Sequence, residues 1–361
     1  MENHLFFIIT SIFILFIIYF LSKKYFIFKN ILISLYIITM TIYIVWRILY
    51  TLPHGSAISV LLGLSLLIAE IGSFVLSITF YFLFWKKNTK EDKELVELHP
   101  NYPTVDIFIA TYNESSSILK RTIIASKKVR YPDLRKVEKY VLDDGDREEI
   151  ALIAKELNVK YIRRDNNENA KAGNLNNALK ETKGDLVVTL DADMVPRVDF
   201  LEKTVGYFED SKMGFIQAPQ TFFNNDPYQF NFFSEKNLNN DQDFFMRRIE
   251  NQKDIYNSVM YIGSNAVFRR AALESIGGFS TGVITEDLAT GMFIQAKGWK
   301  TRFVNKNLAS GLAPENFSDL IKQRDRWSRG NIQVARKWLP LKIKGLNKVQ
   351  KLLYMDGIHY W

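Results

Sequence analysis

Three long apolar stretches constrain this chain of 361 residues more than any other feature. Residues 4–21 are almost wholly apolar, residues 28–45 nearly so, and residues 58–85 carry one charged side chain, Glu70. Each approaches the roughly 20 helical residues needed to cross a hydrocarbon layer of about 30 Å, and the reading is three transmembrane helices. The first stretch has no basic start and no small-residue cleavage site, since MENHL precedes it and FLSKKYF follows. It is therefore expected to stay in place rather than be removed as a signal peptide. Lys23, Lys24 and Lys29 follow the first stretch, TLPHGSA after the second has no Lys or Arg, and Lys86, Lys87, Lys90 and Lys93 follow the third. Basic loops remain on the cytoplasmic side, so a multi-pass plasma-membrane protein is expected, with its N-terminus outside and its polar remainder in the cytoplasm. Glu70 is read as a helix-packing or channel-lining residue, because an intramembrane carboxylate faces protein or water.

The formal net charge of +8 has a topological explanation, as many basic residues gather beside the apolar stretches, where anionic headgroups of the lipid bilayer attract them. No nucleic-acid-binding signature accompanies them. The absence of cysteine excludes disulfides and thiolate metal sites, and four scattered histidines without H-E-x-x-H spacing argue against a zinc centre.

From Pro103 onward short apolar runs alternate with helical ones. TVDIFIATYNE reads as a strand and its exit loop, followed by a helix over residues 115–128. KYVLDDGDREE is a strand entering a helix, VKYIRRD a third strand, NAKAGNLNNALKET a helix, and GDLVVTLDAD a fourth strand. Such alternation predicts an α/β fold, a mostly parallel sheet with helices on both faces, whose ligands gather outside the carboxyl ends of the strands.

At those ends stand Asp143 and Asp144 on one strand and Asp191 and Asp193 on another. Taken alone, the second pair is either a solvated turn closed by Pro196 or a binding site. With both pairs facing one crevice, a hard divalent metal with oxygen ligands is the counter-charge the pattern asks for. No phosphate-binding P-loop and no G-x-G-x-x-G follows the first strand, which argues against a P-loop ATPase or a dinucleotide enzyme. Lys171 begins a helix near this edge and is either a solvated lysine or a ligand for a diphosphate. Thr285-Glu286-Asp287 reads as a helix start with Thr285 as N-cap; Asp287 is then a cap-region acid or a rigidly presented base.

Near the C-terminus, ENFSDLIKQRDRWSRGNIQVARKWLPLKIKGL combines Leu320, Ile321, Trp327, Ile332, Val334 and Trp338 with many basic residues. The default reading is an amphipathic helix lying in the membrane interface. An Arg beside a Trp also suits a site that neutralises a diphosphate and offers a sugar ring a flat face.

The ordered set DDG at 143–145, DAD at 191–193, TED at 285–287 and QRDRW at 323–327, together with FIATYNE, NAKAGNLNNAL and GSNAVFRRAALESIGGF, resembles processive family 2 glycosyltransferases. The likeness is greatest to bacterial cellulose synthase catalytic subunits and related membrane-embedded β-glucan synthases, and it covers roughly residues 46–361. It implies a GT-A fold and inverting transfer of a sugar from a UDP-sugar donor to the non-reducing end of a growing polysaccharide acceptor. By that resemblance Thr111, Tyr112, Glu114 and Asp143 surround the uridine, with Asp144 nearer the phosphates. Asp191 and Asp193 bind the diphosphate through Mg²⁺ or Mn²⁺, helped by Lys171, and Asp287 is the general base. Glu286, Gln323, Arg326 and Trp327 shape the acceptor end and the diphosphate pocket, Trp327 stacking on the terminal sugar.

TED with QRDRW is more like glucan than hyaluronan synthases, so UDP-glucose is the expected donor. UDP-N-acetylglucosamine, as in chitin-type enzymes, is the alternative, and a catalytically inactive sugar-nucleotide- or polymer-binding subunit is the non-enzymatic one. The expected layout is a membrane region over residues 1–90, a GT-A domain over 91–312, an interface helix over 313–345 and the start of a further membrane segment over 346–361. Family members continue into more membrane helices and a gating loop, F-x-V-T-x-[RK], whereas this chain stops at YMDGIHYW. A channel of three helices is incomplete, which makes the chain a fragment or one that relies on further synthase or export subunits. No cyclic-di-GMP-binding PilZ domain is present in it.

Overall fold

The computed structural model describes residues 2–90 and 102–360. The chain divides into two compact units, Met1–Lys87 and Asn88–Trp361. Lys93, one of the residues used to orient the chain, lies outside the described residues.

The first unit is helical: α1 spans Glu2–Lys24, α2 Phe26–Tyr50 and α3 Ala57–Phe84. At 25 and 28 residues, α2 and α3 are long and apolar enough to cross a membrane. Large apolar side chains such as Phe13, Ile42, Leu61 and Ile68 are exposed along these helices. That is the pattern of helices whose surroundings are themselves apolar. The second helix runs past the predicted end at residue 45 and so includes Arg47, whose Nε lies 3.0 Å from Glu70 Oε2 on α3. The Tyr43 hydroxyl donates to Glu70 Oε1 at 2.9 Å. Glu70 is thus a packing residue joining α2 to α3, with its charge matched.

In the second unit the strands and helices alternate as β1 (Val105–Thr111), α4 (Ser116–Lys127), β2 (Val137–Asp143), α5 (Glu148–Glu156), β3 (Lys160–Arg163), α6 (Ala170–Glu181) and β4 (Leu186–Asp191). Then follow β5 (Val195–Pro196), β6 (Met213–Gln217), β7 (Thr221–Phe222), α7 (Pro227–Asn231), α8 (Glu250–Lys253), β8 (Ala266–Arg269) and α9 (Arg270–Glu274). The chain continues through α10 (Glu286–Ala296), β9 (Lys300–Phe303), β10 (Ala309–Gly311), α11 (Phe317–Lys337) and α12 (Lys348–His359).

Every residue of β1 is buried, as a central parallel strand covered on both faces requires. Among the described residues it lies within a seven-stranded sheet of order β3-β2-β1-β4-β8-β6-β9. Pairing is parallel from β3 to β4 and between β6 and β9, while β8 runs antiparallel to both β4 and β6. Alternation along β1 sends Ile107 and Ile109 into one core and Phe108 into the other, so each face of the sheet has its own apolar layer. A small second sheet has the order β5-β10-β7.

Register places the functional edge. Thr111 pairs with Asp143 across β1/β2, and Ala110 pairs with Asp191 across β1/β4, so both acidic strand ends finish at one level.

The predicted apolar face of α11 divides in two. Leu320, Gly330 and Val334 are buried, and Trp338 packs edge-on against Phe293 of α10 at 5.2 Å. Phe317, Ile321 and Ile332 are exposed. Helix α12 begins with a capping box at Asn347 and Gln350 and buries Leu353 and Tyr354 in the same unit, the Tyr354 hydroxyl donating to Gln295 at 3.0 Å.

Candidate active site

The first acidic strand end is enclosed by arginines. The carboxylate of Asp143 accepts the Gly145 and Arg147 backbone amides, the Arg147 guanidinium at 3.0 Å and the Tyr161 hydroxyl at 3.1 Å. Arg147 also donates to Thr111 Oγ1 at 2.7 Å and to the Glu114 carbonyl at 2.7 Å. The Glu114 carboxylate in turn accepts the Thr111 hydroxyl and the Tyr112 amide, both at 2.8 Å. One guanidinium thereby assembles Thr111, Glu114 and Asp143 into a frame, from which the Tyr112 ring projects half exposed. Arg164 holds Asp144 in a two-pronged pair, 2.7 Å on one arm, with side-chain exposures of 9% and 6%. Burial and the Asp143 carboxylate push the Tyr161 hydroxyl up to about 12.

The second cluster sets Asp191, Glu286 and Asp287 around one ammonium, with Asp193 next to Asp191. The Lys171 Nζ, on the first turn of α6, pairs with Asp191 and donates to the Gly263 carbonyl at 2.8 Å. Asp191 is seated by its own amide, which donates to Ser264 Oγ at 2.9 Å, and Asp193 accepts the Leu312 amide at 3.3 Å. Gly263 has φ +88°, and a Cβ there would lie 3.2 Å from Asp287 Oδ2 and 3.7 Å from Lys171 Nζ. The left-handed backbone favours glycine there, and a side chain would press on Asp287.

Charge is crowded here. Burial, then the Asp191 charge, pushes Asp193 up to about 6. Burial, then Asp287, pushes Glu286 up to about 7 despite the relief Lys171 provides. Asp287 is raised as well, chiefly by burial, while its Oδ1 accepts the Leu288 amide at 2.8 Å. Burial would lower the Lys171 ammonium, but Asp191 and its other acidic neighbours outweigh it and hold the group well above its ordinary value. This is not the solvated lysine that the sequence left open, and the acidic strand end is not a solvated turn.

An oxygen-only donor set with surplus negative charge suits a hard divalent cation. Asp191 and Asp193 are the residues that would hold Mg²⁺ or Mn²⁺. Among the described residues no group of three or more His, Cys, Asp or Glu is arranged to hold a metal alone.

Thr285 does not do what its sequence position predicts. It precedes α10, yet its side chain makes no capping hydrogen bond, and its Oγ1 is buried without a partner. Gly330 of α11 packs against it, and a Cβ there would stand 2.4 Å from Thr285 Cγ2. That contact brings the Q-x-x-R-W helix onto the start of α10. Gln323 Oε1 is also buried without a hydrogen-bond partner. Trp327 carries a guanidinium over its ring at 4.6 Å, but it belongs to Arg324, which is paired with Asp241. Arg326 itself is exposed on α11.

Sequence reasoning missed Arg147, Arg164, Gly263 and Arg324. The first two stood in the quoted DDGDREE and YIRRD, and basic residues beside the strand ends were the signal.

A mostly parallel sheet with a β8 reversal and carboxylates at its edge is a GT-A architecture. The chain belongs to the glycosyltransferase-like family 2, whose model matches residues 102–330. It is 37% identical over 327 residues to a cellulose synthase catalytic subunit (UDP-forming) of Xanthomonas axonopodis pv. citri, covering 88% of this chain and 44% of that protein. It is 38% identical over 317 residues to a cellulose synthase 1 catalytic subunit (UDP-forming) of Komagataeibacter xylinus, covering 88% and 42%. The chain thus spans less than half the length of these curated relatives. Among solved structures, a mannosyltransferase from Pyrobaculum calidifontis in complex with GDP-Man and Mn²⁺ aligns with TM-score 0.60 at 19% identity, over 81% of this chain and 79% of that one. Residues 1–349 of S. aureus TarS with UDP-GlcNAc align with TM-score 0.51 at 15% identity, over 71% and 72%. These two likenesses concern the fold.

Proposed function

We propose that the chain is the donor-binding and transferring part of a membrane-bound, inverting, processive glycosyltransferase that moves glucose from UDP-glucose to the non-reducing end of a β-glucan. Coupling to export rests on the apolar helices, with residues 1–90 in the membrane and the catalytic unit on the cytoplasmic side. The observation that carries the reading is the crowding of Asp191, Glu286 and Asp287 around Lys171, with Asp193 beside Asp191, at the sheet edge that also carries the arginine-held pair Asp143 and Asp144.

In this reading Thr111, Tyr112, Glu114 and Asp143 receive the uridine, and Asp144 faces the phosphates. A bound Mg²⁺ or Mn²⁺ on Asp191 and Asp193 supplies positive charge for the leaving diphosphate. Lys171 adds a cation on the same side, where electrostatic preorganisation lowers the barrier most. Asp287, raised and therefore more basic than an ordinary carboxylate, takes the acceptor proton. Glu286, Gln323, Arg326 and Trp327 line the acceptor and diphosphate side.

The test is UDP release from membranes bearing the protein, with metal, across UDP-glucose, UDP-N-acetylglucosamine, UDP-galactose and UDP-glucuronic acid. Release with UDP-glucose that is absent in Asp287→Asn is the expected result. Release with UDP-N-acetylglucosamine alone moves the donor assignment to the chitin type, and nucleotide binding without release from any donor leaves a binding subunit.

A further inference from the structure

Beyond β7 the chain turns amide-rich, reading TFFNNDPYQFNFFSEKNLNNDQDFF over residues 221–245. Asp226 folds this segment back on itself, its carboxylate accepting the Tyr228, Gln229 and Asp241 amides, while Gln229 Nε2 donates to the Leu238 carbonyl at 2.7 Å. A half-open cleft of about 300 Å³ results, a size at which small-molecule sites begin.

Its walls are fixed. The Asn224 side chain bonds both ways with the Ala313 backbone, at 3.0 and 2.7 Å. Arg247 reaches Asn305 and Asn307 from a π-helical turn, Phe245–Ile249, a distortion that recurs at functional sites. Other lining groups are unspent. Asn225, Asn239, Glu235 and Lys236 face the cleft, and among the described residues their side chains make no hydrogen bond or ion pair.

The lining selects by charge. Glu235 and Asp243 are matched by Lys236 and Arg247, so neither a phosphate nor a metal ion gains a net field. Side-chain amides offer donors and acceptors together, which suits hydroxyl groups that do the same. Phe223, half exposed with Arg121 over its ring at 5.5 Å, adds apolar surface for the C–H face of a pyranose.

We infer that this cleft is a second carbohydrate site, binding a neutral saccharide apart from the carboxylate cluster. It is joined to that cluster by a short piece of backbone. Phe223 bonds to Gly311 at 3.1 Å, and Leu312, the next residue, donates to Asp193. The same chemistry serves a free oligosaccharide or a held segment of polymer.

The experiment is calorimetry with cellotetraose and laminaritetraose on the full chain in detergent, carrying Trp327→Ala to disable the proposed acceptor platform, with UDP affinity as the folding control. Binding that persists in this background and weakens at least tenfold on adding Asn225→Ala and Asn239→Ala, with UDP affinity unchanged, is expected. No tetraose binding in the Trp327→Ala background, or binding indifferent to the two asparagines, overturns the inference. Hydrogen exchange of the unsubstituted chain gives a second readout: tetraose should protect residues 235–243, and protection confined to α11 counts against the site. Co-sedimentation with amorphous cellulose separates the sources, since loss of pelleting in the double asparagine variant identifies polymer and unchanged pelleting identifies free saccharide.

Discussion

Two sets of carboxylates stand at one edge of the same sheet, and they are treated in opposite ways. Asp143 and Asp144 are each matched by a guanidinium, their side chains 0% and 6% exposed. Asp191, Glu286 and Asp287 share Lys171, Asp193 stands against Asp191, and three of the four are held above the ordinary carboxylate range. The first set is neutralised by the protein itself and forms a rigid frame before any ligand arrives. The second retains uncompensated negative charge that a cation and a diphosphate can match. The teaching is that acidic residue type and sheet position alone do not assign a role; the partner supplied by the fold does.

The largest expected effect tests the under-neutralised set. Asp287→Asn should lower turnover by about 10²–10⁴, the usual share of a positioned base, while UDP affinity and melting temperature hold or rise as a buried charge disappears. Comparable loss of UDP affinity would erase the division between the two sets. Next comes the frame. Arg164→Leu leaves Asp144 buried and unpaired, at a cost of about 3–5 kcal/mol in urea unfolding, and adding Asp144→Asn should return part of it. A cost below about 1 kcal/mol would mean that the pair is solvent-relaxed.

A smaller effect appears with pH. Asp193 and Glu286 titrate near 6 and 7 in the folded chain, against about 4 when unfolded. The folded state therefore binds more protons between about pH 4 and 7, so these groups make metal-free protein less stable as pH rises through that window. Melting curves of the wild type and of Asp193→Asn/Glu286→Gln should diverge toward pH 7, the variant being more stable, and Mn²⁺ with UDP should close the gap. Parallel curves would contradict the crowding. The smallest change concerns Thr285→Val, which removes a buried hydroxyl without a partner. Unfolding should show a gain of up to about 1 kcal/mol, and a loss of that size would assign the hydroxyl a partner within the folded chain.

The acidic ends of β4 and of the buried second half of β2 were legible because a buried parallel strand reads as an apolar run, and its abrupt polar end marks the ligand side. Lys171 was legible as a position but not as a partner of Asp191, because the pairing spans 20 residues and depends on how α6 packs. Arg164 was hidden for the same reason, and Arg147, although only four residues from Asp143, was hidden in its bonds to Glu114 and Thr111, which span 33 and 36 residues. The reversal of β8 left no mark, since AVFR reads alike in either direction of pairing. The division of α11 into buried and exposed apolar residues could not be read either, because periodicity gives a face but not what meets it. Thr285 was read correctly as the N-cap position of α10, but not as a cap whose hydroxyl is left without a partner, because capping preference describes an isolated helix end and Gly330 of another helix packs there.

That Gly330 contact acts as a spacer of zero thickness. With no side chain between α10 and α11, the clearance between Asp287 on one helix and Gln323 and Trp327 on the other is fixed by backbone touching Thr285. A single methyl, as in Gly330→Ala, must shim the helices apart or unseat Thr285, and under the proposed roles of Asp287 and Trp327 either movement alters the gap offered to an acceptor ring. If the proposed acceptor side lies there, product length should shorten while UDP affinity stays level, and a spacer with no side chain would set the grip on the acceptor from a distance.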